Sequence, residues 1–289
     1  MKHEFSRILN AATDCELDSI ALPLMYEPSV AETASALPSS ITELNEEERH
    51  PAVLMLHGFT GNPGELQYAA ARVAQAGYTV SVPRLPGHGT GGNDFLLTKA
   101  VDWIRRSVDA YLELSAQASS VSLVGLSMGA LIAVLMAATL KAQSLVMCAP
   151  ALEVNQPFLA LTPFIGRFVK SYGGSYDPEN VKPEFRALAH EYRSRRWVRG
   201  AGELYRLQRA ARVALPHICC PITTLLAAGD PTVPLSVQTR IRDSVTTADH
   251  DLRVFSGNDH VILNGAAREQ VLDVIVERLR SHNAPSMQA

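Results

Sequence analysis

Ser127 stands between two glycines in Gly125-Leu126-Ser127-Met128-Gly129, with the apolar run VSLVGL leading into it and ALIAVLMAA following. A strand, a G-x-S-x-G turn and a helix in that order hold a serine hydroxyl exposed on a sharp, strained bend, which is what nucleophilic attack on an acyl carbon needs. Glycine is required on both sides because a side chain at either place collides with neighbouring backbone. The bend also brings Ser127 to the start of the helix, where unpaired N–H groups and the helix dipole favour a developing oxyanion. Such a pentapeptide also arises by chance; the strand before it and the helix after it make it informative.

A serine nucleophile needs a base, and the chain offers nine histidines. His260 lies in VFSGNDHVILNG, between the last strand candidate and the final helix, and Asp230 lies in LLAAGDPTVP, after the preceding strand candidate. The order Ser127, Asp230, His260, with gaps of 103 and 30 residues, is the order of the strand–elbow architecture. Each residue alone has a plainer use. Asp230 suits a turn, since Gly-Asp-Pro is a turn signal, and His260 suits a buried structural imidazole. Together with the elbow they supply nucleophile, base and orienter on three loops. Glu153 is the second choice for the acid, and Asp259 is too near His260 in sequence to orient it.

The loop His57-Gly58-Phe59-Thr60-Gly61 follows the first long strand candidate and leads into Pro63, a favourable first residue of a helix. It therefore shares the carboxyl edge of the sheet with Ser127. The spacing predicts that the N–H groups of Phe59 and Met128 form a two-donor oxyanion hole. His57, and His88 in the loop RLPGHGTG, are expected to pack loops rather than move protons. In the expected reaction His260 takes the Ser127 proton and Asp230 fixes the imidazole tautomer, with no metal or organic cofactor required.

The elements that must position these residues follow a strand-then-helix rhythm. AVLMLH, YTVSVP, VSLVGL, SLVMCA, ITTLLAA and DLRVF are mostly continuous apolar runs, as expected of a parallel sheet covered on both faces. GELQYAAARVAQAG, AVDWIRRSVDAYLEL, MGALIAVLMAATL and AAREQVLDVIVERLR carry helical periodicity. The pattern predicts an α/β core over 51–150 and 217–289, with a helical cap at 151–216 that holds no convincing strand. Residues 1–50 form an N-terminal extension with a possible edge strand at Ser19 to Tyr26 and an exposed acidic connection at Glu43 to His50. Eight arginines between Glu184 and Arg212 read first as a solvated helix face; a site for an anionic group or an interfacial contact is the sharper alternative.

Composition bounds the rest. The 289 residues are 47% hydrophobic and 19% charged with a formal net charge of −3, which fits a packed enzyme and gives no chain-wide attraction for nucleic acid or for an anionic membrane. The longest apolar stretch, Ala130 to Leu140, has 11 residues, short of the ~20 that span a bilayer. No secretory h-region is seen at the N-terminus, so the expected location is cytoplasmic. Cys15, Cys148, Cys219 and Cys220 show no zinc spacing and read as structural or incidental thiols. Oligomeric state is left open.

HGFTG, PGHGT, GLSMGA, GDPTVP and SGNDHVI stand in order and spacing over Ala52 to Leu279, and in them the chain resembles the serine carboxylesterase and monoacylglycerol lipase branch of the α/β-hydrolase superfamily. The resemblance implies that Ser127, Asp230 and His260 are catalytic, that a small helical cap is inserted before the acid-bearing strand, and that the substrate is a small acyl ester. Short- to medium-chain esters or monoacylglycerols are the expected substrates. A thioesterase using the same triad, and a non-catalytic binding protein on the same fold, are the alternatives.

Overall fold

The computed structural model describes residues 24–26, 49–174, 176, 179, 186, 190, 192, 194–257 and 259–283. Strands β1 (Leu24–Tyr26), β2 (Ala52–Leu56), β3 (Thr79–Val82), β4 (Val121–Leu126), β5 (Leu145–Cys148), β6 (Ile222–Ala227) and β7 (His250–Phe255) form one sheet in the order β1-β3-β2-β4-β5-β6-β7. Only β1 runs antiparallel; the other six strands are parallel. Among the described residues the helices of two turns or more are α1 (Gln67–Gln75), α2 (Ala100–Ser115), α3 (Met128–Ala137), α4 (Val198–Ala214), α5 (Val237–Ser244) and α6 (Arg268–Asn283).

The continuous apolar strands are explained by cover on both faces. Along β2, Ala52, Leu54 and Leu56 pack into one cluster with Trp103 of α2 and Leu131 of α3, while Val53 and Met55 point into a second cluster with Val73 of α1 and Ile275 of α6. Side chains alternate across a strand, so a strand between two helical layers is apolar at every position. Helix α3 is apolar all round because it is buried on nearly every side. Trp103 is fully buried, and its truncation to alanine costs about 3–5 kcal/mol.

Six parallel strands put their carboxyl ends on one edge. There lie the loop after β2, the turn after β4, and the loops after β5, β6 and β7. Between β5 and β6 the chain leaves the sheet and forms a small cap whose described residues include α4 and the single turns Leu159–Leu161 and Thr162–Ile165.

Two expectations need correction or trimming. The cap region does contain strand, since Tyr172–Gly173 pairs antiparallel with Arg195–Arg196; two residues are too few to leave a periodicity. Of the proposed N-terminal strand, Leu24–Tyr26 pairs with β3, and Ser19 to Pro23 lie outside the described residues. So do Cys15, most of the acidic connection and much of the helical stretch expected before Arg195. Among the described residues no helix is long and apolar enough to cross a membrane.

Candidate active site

Ser127 caps α3 with φ 53 and ψ −109, a backbone region a side chain rarely adopts and which tight packing must enforce. The two glycines show how. A Cβ on Gly129 would sit 2.0 Å from the Leu56 carbonyl oxygen and 2.7 Å from that of His57, and one on Gly125 would sit 2.4 Å from the Cα of Ala130. Helix α3 is thus pressed onto the end of β2 with no room for a methyl group. The Ser127 N–H donates to the Cys148 carbonyl (2.9 Å), and its own carbonyl accepts from Ala151 (3.2 Å).

His260 Nε2 lies 2.9 Å from Ser127 Oγ, and its Nδ1 lies 2.8 Å from Asp230 Oδ2. An ionised carboxylate only accepts, so Nδ1 carries the proton and Nε2 is left to accept from the serine hydroxyl. Asp230 Oδ1 accepts from the N–H groups of Thr232 (2.7 Å) and Val233 (3.0 Å). One Asp230 oxygen therefore shapes the turn and the other meets the imidazole. Burial pushes this carboxyl up, but the hydrogen bonds from His260, Val233 and Thr232 outweigh it and hold the group below the usual carboxylate range. The His260 side chain is part exposed rather than buried.

The loop after β2 comes up beside this group. A Cβ on Gly58 would lie 3.6 Å from Ser127 Cβ, and a tight turn closes where Gly61 N–H donates to Gly58 O (3.1 Å). Among the described residues neither the Phe59 nor the Met128 N–H has a backbone acceptor.

His57 and His88 have other work. The Leu85 N–H donates to His57 Nε2 (3.1 Å), leaving Nδ1–H for the Gly58 carbonyl (3.0 Å), so the ring fastens two loops together. Complete burial lowers its pKa to about 4. Burial and the neighbouring His57 likewise push His88 well below the ordinary value. Its ring stacks edge-on against Phe95 and Trp103. Glu153, the second-choice acid, is held by Ser236 Oγ and the Arg240 guanidinium. Asp259 accepts from the Ala266 N–H (3.1 Å). Burial pushes the Cys148 thiol up to about 12, so it is inert.

Three supporting residues were not singled out from the sequence. Gly200 of α4 lies against the loop after β2, since a Cβ there would meet Phe95 at 2.5 Å and Phe59 at 3.2 Å. Gln208 is buried in α4 and donates to the Ala151 carbonyl (2.7 Å), the residue whose N–H meets Ser127. Gly257 adopts φ 125 in the histidine loop. The signal for the first was present in Gly200-Ala201-Gly202, because glycine inside a helix costs about 1 kcal/mol and implies a packing reason. Among the described residues no cluster of three or more His, Cys, Asp or Glu side chains is placed to hold a metal ion.

A parallel sheet whose strand ends carry a serine elbow, an acid and a histidine in that chain order is the plan of the α/β-hydrolases, and this chain is one. The pattern of the family described as serine aminopeptidase, S33, matches residues 47–266, and the chain belongs to that family. It is 26% identical over 230 residues to a thermostable monoacylglycerol lipase of Bacillus sp. (strain H-257), covering 80% of this chain and 90% of that one. It is 25% identical over 232 residues to a carboxylesterase of Bacillus subtilis (strain 168), covering 79% and 92%. Among solved structures, that of the metagenome-derived lipolytic enzymes LipS and LipT superposes with a TM-score of 0.77 at 24% identity, covering 92% of this chain and 100% of that chain, a likeness of fold. The chain is a carboxylesterase- and monoacylglycerol lipase-like serine hydrolase.

Proposed function

We propose that this chain hydrolyses short- to medium-chain acyl esters or monoacylglycerols through an acyl-enzyme on Ser127. His260 Nε2 takes the hydroxyl proton as Ser127 Oγ attacks the carbonyl carbon, and the N–H groups of Phe59 and Met128 receive the charge on the carbonyl oxygen. The imidazolium then gives its proton to the departing alcohol. Water repeats the attack, activated by the same nitrogen, and releases the acid. Asp230 keeps the imidazole in the productive tautomer and stabilises its charged form. Residues 151–216 act as a cap over a core of 51–150 and 217–289 and filter what reaches the serine.

The observation that carries this reading is the unbroken path from Ser127 Oγ through His260 to Asp230, at 2.9 and 2.8 Å. The substrate class is supported by what the two Bacillus relatives are named for. The family's own description is a peptidase, and a thioester would serve the same triad, so the test must span all three bonds. A panel of oxygen esters and monoacylglycerols of graded chain length, matching thioesters, and aminoacyl amides decides it. Fastest turnover is expected on the oxygen esters, and a fluorophosphonate should label Ser127. Faster turnover of the amides or thioesters overturns the substrate class; the lack of any adduct on folded protein overturns the mechanism.

A further inference from the structure

Of the twelve large apolar side chains exposed among the described residues, seven lie in the fifteen positions from Phe158 to Tyr172. Phe158 is 70% exposed, Phe164 64% and Phe168 77%, and the last two rings meet edge to face. This is the cap segment whose composition suits a buried acyl lining, yet only Leu159 turns inward. Contiguous exposed apolar surface of this kind marks a contact with something else.

The face is held firmly outward. A Cβ on Gly166 would lie 2.9 Å from the Arg199 Cα, and one on Gly202 would lie 3.1 Å from the Pro163 Cα. The backbone under the aromatic rings therefore rests directly on α4.

The charge of its two described segments is one-sided. Arg167 and Lys170 are exposed within the stretch, and the short ladder sets exposed Arg195 and Arg196 beside Tyr172 and Gly173. Residues 155–174 and 194–202 contain no Asp or Glu, in a chain whose net charge is −3. Long basic side chains around protruding aromatic rings fit a surface that is apolar below and anionic above, where the stems lie along the apolar layer and the charged heads reach the phosphates.

We infer that the Phe158–Tyr172 face docks onto the surface of an anionic phospholipid bilayer. Phe158, Phe164 and Phe168 enter the boundary between headgroups and acyl chains, and Arg167, Lys170, Arg195 and Arg196 sit at the level of the phosphates. Docking requires no chemistry at Ser127, so it is tested apart from the hydrolytic reading.

The test is co-sedimentation of the full chain with vesicles of ether-linked phospholipid, which an ester hydrolase cannot consume. One set is phosphatidylcholine alone and the other contains about one-third phosphatidylglycerol, to present a negative surface. The protein should bind the mixed vesicles and not the neutral ones, and lose binding as salt rises above about 0.1 M, where the Debye length shrinks below about 10 Å. Arg167→Glu with Lys170→Glu should weaken partitioning by about twenty-fivefold or more, at roughly fivefold for each basic charge lost. Phe164→Asp with Phe168→Asp should abolish it while the denaturant midpoint is unchanged, which shows that the variant is folded. Absence of binding to mixed vesicles, or equal binding to neutral ones, overturns the proposal. So does concentration-dependent self-association that the Phe164→Asp, Phe168→Asp variant loses without any vesicle binding, which would assign the face to a second copy of the chain.

Discussion

The N–H of Gly229 donates to the carbonyl of Gly257 at 2.7 Å, joining the loop that carries Asp230 to the loop that carries His260. This bond continues the β6–β7 ladder past the ends of both strands, after Ala228 N–H to Phe255 O. The acid follows one partner by a single residue and the imidazole follows the other by three. Their approach is therefore set by main chain, before any side-chain contact is made.

Gly257 makes that bond with φ 125, and a Cβ placed there meets nothing closer than 4.0 Å. Space is thus not the obstacle to a side chain; backbone strain is. Gly257→Ala should cost about 1–3 kcal/mol, seen as a lower denaturant midpoint, with a drop in kcat as the histidine loop shifts. Unchanged stability would mean the loop relaxes without loss.

The proposed triad gives an ordered set of losses. Ser127→Ala and His260→Ala should lower kcat by about four to six orders of magnitude and Asp230→Asn by somewhat less. Glu153→Gln should stay within a few-fold of the parent, because that carboxylate is engaged by Ser236 and Arg240. Stopped assays on one soluble ester compare all four, and a Glu153→Gln collapse would move the acid to the other loop.

Stability should fall as the medium is acidified below neutrality. Burial holds the His57 pKa at about 4 against about 6.5 in the unfolded chain. Between those values the unfolded state carries the extra proton, so stability declines as pH falls from about 6.5 to about 4, by up to roughly 3 kcal/mol. His88 is shifted in the same direction, also by burial first. Asp230, held low, contributes stability above its unfolded value that is lost only as pH drops through its folded one. Denaturant melts at pH 7 and pH 4.5 measure the slope, and His57→Gln should flatten it in the upper part of the window.

Gly200 of α4 meets the loop after β2 through the Phe59 ring. Gly200→Ala puts a methyl group where the Phe59 and Phe95 rings now lie, and the displaced loop carries a proposed oxyanion donor. The expected result is a ten- to a hundredfold fall in kcat, the usual scale for a misplacement of about 1 Å, with a smaller change in KM. A change confined to KM would place the effect on substrate entry instead.

The sequence was most readable where local chemistry has one solution. Gly125 and Gly129 flank a serine between a buried strand and a buried helix, and chain order then singled out Asp230 and His260. His57 and His88 were separable from the proposed base because both sit in glycine-rich loops ahead of the elbow. Contacts between distant segments left no such trace. Nothing in LALTPFIGRF distinguishes a ring turned inward from one held outward, since single helical turns set no lasting period. Gln208 is one more polar residue in an arginine-rich helix until its partner, Ala151, is seen fifty-seven residues away.

The contact between Gly200 and the rings at 59 and 95 ties two parts of the molecule that selection would otherwise treat separately. A lineage that remodels its cap to admit a new substrate alters, in the same stroke, the wall behind the loop that carries the proposed oxyanion donor. Grafting a foreign cap should therefore disturb turnover even on substrates both parents share, and recovery should arise by second changes at those aromatic positions rather than at the triad.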